Sequence, residues 1–124
     1  MDILIYFTNE SSMKNNETLI ALADTLEIDT DLLKEILILF FENMPGQLGE
    51  MRSSLKDQDF KNIHIVSHTL KGTAANLYYT DIAKAASDIE VLAIAQNEDN
   101  AAYESHFNKL ELLLSHAKMK IFYQ

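Results

Sequence analysis

The sequence predicts an all-α protein, an antiparallel up-and-down four-helix bundle with a short additional N-terminal helix. Three observations carry this. Beyond residue 16 apolar residues recur every three to four positions, and no alternation of period two persists. Only three glycines and one proline interrupt 124 residues, of which 48% are hydrophobic. Four substantial segments, joined by short connections, each carry one apolar face that another helix must cover.

The elements follow in order. Residues 1–16 form an N-terminal segment set apart from a bundle over 17–124; "DILIYF" has a strand-like composition but no partner strand. Leu19, Leu22 and Leu26 space a short helix, with Asn16 as its cap. Asp29 or Thr30 caps the next, "DLLKEILILFFENM", which is apolar nearly all round and is expected to be buried on several sides. Pro45 removes one backbone donor and crowds the carbonyl of Phe41, yet Leu48, Met51 and Leu55 continue the stripe. One long kinked helix is expected, with two separate helices as the alternative. A third helix starts near Asp59. A fourth follows Thr80, with Ile82, Ala86, Ile89 and Ala93 on one stripe. The last follows "NEDN" and carries Tyr103, Phe107, Leu110, Leu114, Ala117 and Ile121.

Composition removes several function classes. There is no cysteine, hence neither a disulfide scaffold nor a thiolate metal site. The N-terminal residues lack a basic region followed by an apolar run, and no stretch approaches the roughly 18 apolar residues of a membrane helix, so a soluble, cytoplasmic monomer is expected. A net charge of −9 disfavours nucleic acid and anionic membranes as partners. The charge is uneven: residues 61–84 hold Lys61, Lys71 and Lys84 against Asp81, a local +2, which leaves −11 for the rest.

That positive stretch contains "HIVSHTLKGTAANL", residues 64–77. On a wheel of about 100° per residue, Ile63, Val66, Leu70, Ala74 and Leu77 share the core side. His68 falls opposite, flanked by His64, Lys71, Gly72 and Ala75. Glycine inside a helix costs about 1 kcal/mol relative to alanine, so its place beside an exposed histidine asks for a reason. Three readings stand. His68 is one more polar residue on a solvated face. Alternatively, His64 and His68, four apart, share a metal; the pair lacks the intervening glutamate of zinc-binding helices, and Lys71 would repel a cation. Or His68 is a nucleophile: neutral imidazole offers a lone pair near pH 7, and a lysine one turn away stabilises the charge of a phosphoryl group placed on it. Exposure, a cation and missing side chains fit this chemistry together. His106 and His116 lie outside any constellation and read as surface.

"SHTLKGTAANL" resembles the signature of histidine-containing phosphotransfer (HPt) domains, four-helix modules that relay phosphoryl groups between receiver domains. "DLLKEILILFFENMPGQLGEMRSSLKDQDF" is similar to the family's preceding long helix and turn, and "DIAKAASDIE" to the helix that follows; the likeness spans roughly residues 18–115. It implies that His68 is the phosphorylated histidine and that Lys71 helps to hold the phosphoryl group. Gly72 matches the small residue that lets a receiver approach. Glu90, by itself one more helix carboxylate whose ordinary state is exposure, matches the glutamate or glutamine that hydrogen-bonds the imidazole. The partners implied are receiver domains of a hybrid histidine kinase and of a response regulator, meeting Lys61, His64, Ile65, Gly72 and Ala75. No cofactor is implied for this chain: magnesium belongs to the receiver, and without a glycine-rich nucleotide loop no ATP-dependent kinase activity is expected. Two alternatives remain, a receiver-docking module that carries no phosphate and a metal-binding bundle using His64 and His68. Two departures from the pattern are Tyr78, where the family often has glycine, and Ser67 in place of alanine.

Overall fold

The computed structural model describes residues 19–122, with side chains to residue 121. These residues form a helix over 19–26 (α1), followed by α2 (Thr30–Lys56), α3 (Phe60–Asn76), α4 (Thr80–Ile94) and α5 (Asn100–Phe122), with no strand among them. The N-terminal segment and the Asn16 cap lie outside the described residues. The helix starts follow capping chemistry. Asp29 Oδ1 accepts from the Leu32 amide at 2.7 Å, a cap as expected, and Asp59, near which the third helix was expected to start, caps it by accepting from the Asn62 amide at 3.1 Å. Asp99 Oδ1 accepts from the amides of Ala101 and Ala102 and starts α5 at Asn100, inside the "NEDN" that was expected to precede it. Helix α4 includes Thr80 and has no side-chain cap.

The helix ends are less usual. Glu27, Gln58, Tyr78 and Gln96 each have φ between 53° and 62°. Gln58, Tyr78 and Gln96 sit two residues past the last helical one and Glu27 one residue past, and the amides there and one residue later fold back onto the final turn. For Tyr78 these bonds are Tyr78 N–H to Ala75 O, 3.0 Å, and Tyr79 N–H to Ala74 O, 2.9 Å. This is the Schellman arrangement, for which glycine is the usual residue. Here all four left-handed positions are filled by side-chain-bearing residues, while Gly46, Gly49 and Gly72 lie inside helices.

The described residues fall into two compact units. One comprises 19–44 and 114–122. It buries Leu19 and Ala23 of α1, Leu33, Leu37, Phe40, Phe41 and Met44 of α2, and Leu114 and Ala117 of α5, with Phe40 and Phe41 in edge contact at 5.0 Å. The expectation that this part of α2 is buried on several sides is not met: Leu32, Ile38 and Leu39 are exposed, because the buried residues lie along one side of the helix. Lys120, on the same stripe of α5 as Leu114 and Ala117, is also buried, and desolvation lowers its pKa.

The other unit, residues 45–113, holds four helical segments. Leu48, Met51 and Leu55 face Ile63, Val66, Leu70, Ala74 and Leu77, Ile82, Ala86 and Ile89, and Tyr103, Phe107 and Leu110 in a core where most are at most 1% exposed. Each buried Leu, Ile, Val, Met or Phe among them stabilises the fold by about 1.5–3 kcal/mol. Polar ties set the register. Asn62 Nδ2 donates to Glu50 and to Ser54 Oγ, joining α3 to α2. Arg52 donates to Asn108 and Glu111 at 3.1 and 3.2 Å while its guanidinium lies over Phe107, joining α2 to α5. Phe60 stacks on Tyr103, linking α3 to α5. Successive segments therefore run antiparallel with short turns. Helix α2 stays one helix through Pro45, which faces solvent.

Candidate functional site

His64, His68 and Lys71 occupy one stripe of α3, at i, i+4 and i+7, and that stripe faces α4. Opposite stands Glu90. On its own helix Glu90 follows Ile89 and precedes Ala93 by three residues, so it shares the buried stripe and is only 5% exposed. A buried carboxylate must be paired. Its Oε1 accepts from Lys71 Nζ at 2.6 Å, and its Oε2 lies 2.6 Å from His68 Nδ1 and 3.3 Å from His64 Nε2. Burial by itself would raise the Glu90 pKa. Hydrogen bonds from Lys71 and His68, together with their charges, outweigh it and hold the group below the ordinary carboxylate value. Glu90 is thus an ionised acceptor. It is not the exposed helix carboxylate that its spacing alone suggests.

An ionised carboxylate has no proton to give, so the short contact at His68 requires Nδ1 to be the donor. The neutral ring then carries its lone pair on Nε2. The side chain is 65% exposed, as expected from the wheel, so that lone pair is open to solvent and to a large partner. His64, 42% exposed at its side chain, turns its ring toward Glu90 rather than outward. Lys71 is half-buried against the same carboxylate.

Lys61, Ile65, His68, Gly72 and Ala75 lie within about 80° of one another on α3, and all five are exposed. A β-carbon built on Gly72 meets nothing within 4 Å, so the packing of this chain does not require glycine there. Beside this face Phe60, Lys61, His64, Ala93, Ile94 and Gln96 line a shallow, largely apolar pocket. Phe60 and Ile94 were not anticipated from the sequence. The signal for Ile94 was its position off the buried stripe of α4, where it is 60% exposed. His106 is half-buried and His116 exposed.

Ser67 is fully buried, and its hydroxyl donates to Ile63 O at 2.7 Å, so its polarity is satisfied within α3. Tyr78 occupies the left-handed position after α3, which accounts for the glycine of the pattern, and the residue is 57% exposed. The sequence paired two histidines as possible metal ligands; α4 brings Glu90 to them, and the three donor atoms lie within 4.8 Å of one another.

The family model of the Hpt domain matches residues 35–119 of this chain. No curated protein and no solved structure gives a significant match.

Proposed function

This chain belongs to the Hpt domain family, and on that premise we propose that His68 is its phosphoryl acceptor, taking the group from the aspartate of one receiver domain and passing it to another. The supporting observation is the bond from His68 Nδ1 to Glu90, which leaves the lone pair of Nε2 on the exposed side. In the forward step that lone pair forms the N–P bond as the P–O bond to the receiver's aspartate breaks, and the aspartate departs as carboxylate with the bonding pair. The ring gains positive charge during transfer, and the ionised Glu90 lies 2.6 Å from the N–H that shares it. Reversal toward a second receiver uses the same contacts.

In this proposal Lys71, anchored by Glu90 one turn from His68, adds positive potential where the phosphoryl oxygens arrive. Gly72 and Ala75 leave the face beside His68 low, and Ile65 and Lys61 supply apolar and positive contacts at its rim. Magnesium is supplied by the receiver. The test is incubation with a phosphorylated receiver domain, followed by mass spectrometry under neutral or alkaline conditions. His68→Gln should abolish labelling with folding unchanged, since an exposed side chain contributes little to stability. A receiver that binds the wild type but leaves it unlabelled identifies a docking module instead, and labelling that survives in His68→Gln overturns the assignment.

A further inference from the structure

We propose that His64, His68 and Glu90 form a three-ligand site for a zinc-type divalent metal, and that a metal bound there switches off the His68 nucleophile. The donors are His64 Nε2, His68 Nδ1 and Glu90 Oε2. Two imidazoles and one carboxylate, with the remaining position open to water, are a donor set that four-coordinate zinc uses. With zinc–ligand bonds of about 2.0–2.2 Å, tetrahedral ligand atoms stand roughly 3.3–3.5 Å apart. His64 Nε2 and Glu90 Oε2 are already at 3.3 Å. His68 Nδ1 must withdraw from its 2.6 Å hydrogen bond, and the two rings must close on each other from within 4.8 Å. Both histidine side chains are at least 42% exposed, so these adjustments displace water and not core. Glu90 is the fixed ligand. Its other oxygen stays bonded to Lys71, which orients the carboxylate as outer partners of metal ligands do and, by its charge, keeps the affinity moderate.

The consequence lies in the tautomer. In the metal-free protein the proton sits on Nδ1 and the lone pair on Nε2. A metal takes the Nδ1 lone pair, so the neutral ring must carry its proton on Nε2. The ring neither gains nor loses a proton overall; the proton changes nitrogen, and the atom that would attack phosphorus no longer has a free pair. Nitrogen donors select zinc, copper, nickel or cobalt over magnesium, so the ion that the receiver requires does not occupy the site.

The switch, though not the metal site, rests on the phosphotransfer reading above, and the experiment separates the two. Chelator-stripped protein is titrated with Zn(II) against a chromophoric chelator, and Co(II) is used for its visible absorption. One equivalent should bind, with a four-coordinate cobalt spectrum. His64→Gln, a change on a half-exposed side chain whose folding is checked by circular dichroism, should weaken zinc binding by at least about 10–100-fold, since losing a ligand costs no less than losing an outer partner. Absence of binding, or binding unchanged in His64→Gln, overturns the site. Each protein is then labelled by a small phosphodonor with and without Zn(II), and each is compared with its own metal-free rate. Zinc should suppress wild-type labelling and leave the His64→Gln ratio near one. Bound zinc with undiminished labelling overturns the switch. Failure of His68 to label without metal overturns the phosphotransfer reading and the switch together, while the titration still decides the site.

Discussion

Glu90 sets the tautomer of His68 through one proton. Because its carboxylate stays ionised, it fixes the imidazole N–H on Nδ1 and leaves the lone pair of the neutral ring on Nε2. The same ionisation ties stability to pH. A carboxyl group whose pKa is lower folded than unfolded adds stability that is fully present above its unfolded value, about 4.3. That stability is lost as pH falls through the lower folded value. The melting temperature of the wild type should therefore fall more steeply on acidification than that of Glu90→Gln, the curves drawing together at the acid end; parallel curves would show that Glu90 does not titrate with folding. Lys71→Ala removes one charge at a partly exposed site. A contribution of about 1 kcal/mol corresponds to roughly fivefold slower transfer, without loss of the acceptor. Single-turnover transfer from a phosphorylated receiver at low salt measures this, and an unchanged rate makes Lys71 a spectator.

At the scale of the helix, glycine and non-glycine residues stand in the reverse of their usual places. Left-handed backbone costs a side-chain-bearing residue about 1–2 kcal/mol relative to right-handed, whereas glycine takes it freely. Tyr78→Gly and Gln58→Gly should each raise stability by up to about 1 kcal/mol, because both side chains are exposed and little packing is lost. Denaturant melts read this directly, and destabilisation would mean that the tyrosine or glutamine makes contacts worth more than the backbone strain. Gly72 tests the converse. Leucine is the better helix former and a β-carbon there meets nothing, so Gly72→Leu should be at least as stable as the wild type. It should nevertheless receive phosphoryl poorly from a receiver while accepting it normally from a small phosphodonor. Equal losses from both donors would indicate a distorted site, not a blocked face.

For the molecule as a whole, charge is spread unevenly along the chain. Against a net charge of −9, residues 61–84 are locally positive, and the exposed Lys61 stands at the edge of the His68 face. An acidic receiver pocket would be steered to this face, and such steering is screened by salt over about 8–10 Å at physiological ionic strength. Lys61→Glu should slow receiver-dependent labelling severalfold at low salt and much less at high salt, with a much smaller effect on labelling by a small phosphodonor. A salt-independent defect would assign Lys61 a local contact in place of steering. Among the described residues, no helix is long and apolar enough to cross a membrane.

Periodicity by itself determined the helical class, the order of the elements and most of the core, because a buried stripe is written into residue spacing: Ile63, Val66, Leu70 and Ala74, or Tyr103, Phe107 and Leu110, need no partner to be recognised. The cap at Asp29 and the helix start near Asp59 were legible for the same reason, being local chemistry. Spacing on α3 also placed His68 outward with Gly72 beside it. The meaning of Glu90 was not legible locally, since one carboxylate on an amphipathic helix looks like any other; only the likeness to HPt domains singled it out. Its burial, and the convergence of His64, His68 and Lys71 on its two oxygens, come from packing α4 against α3 across 19 or more residues of chain. Likewise, only the folded chain shows Tyr78 in a left-handed turn and leaves Leu32, Ile38 and Leu39 in water, because backbone sign and coverage depend on what each helix meets and not on its own pattern.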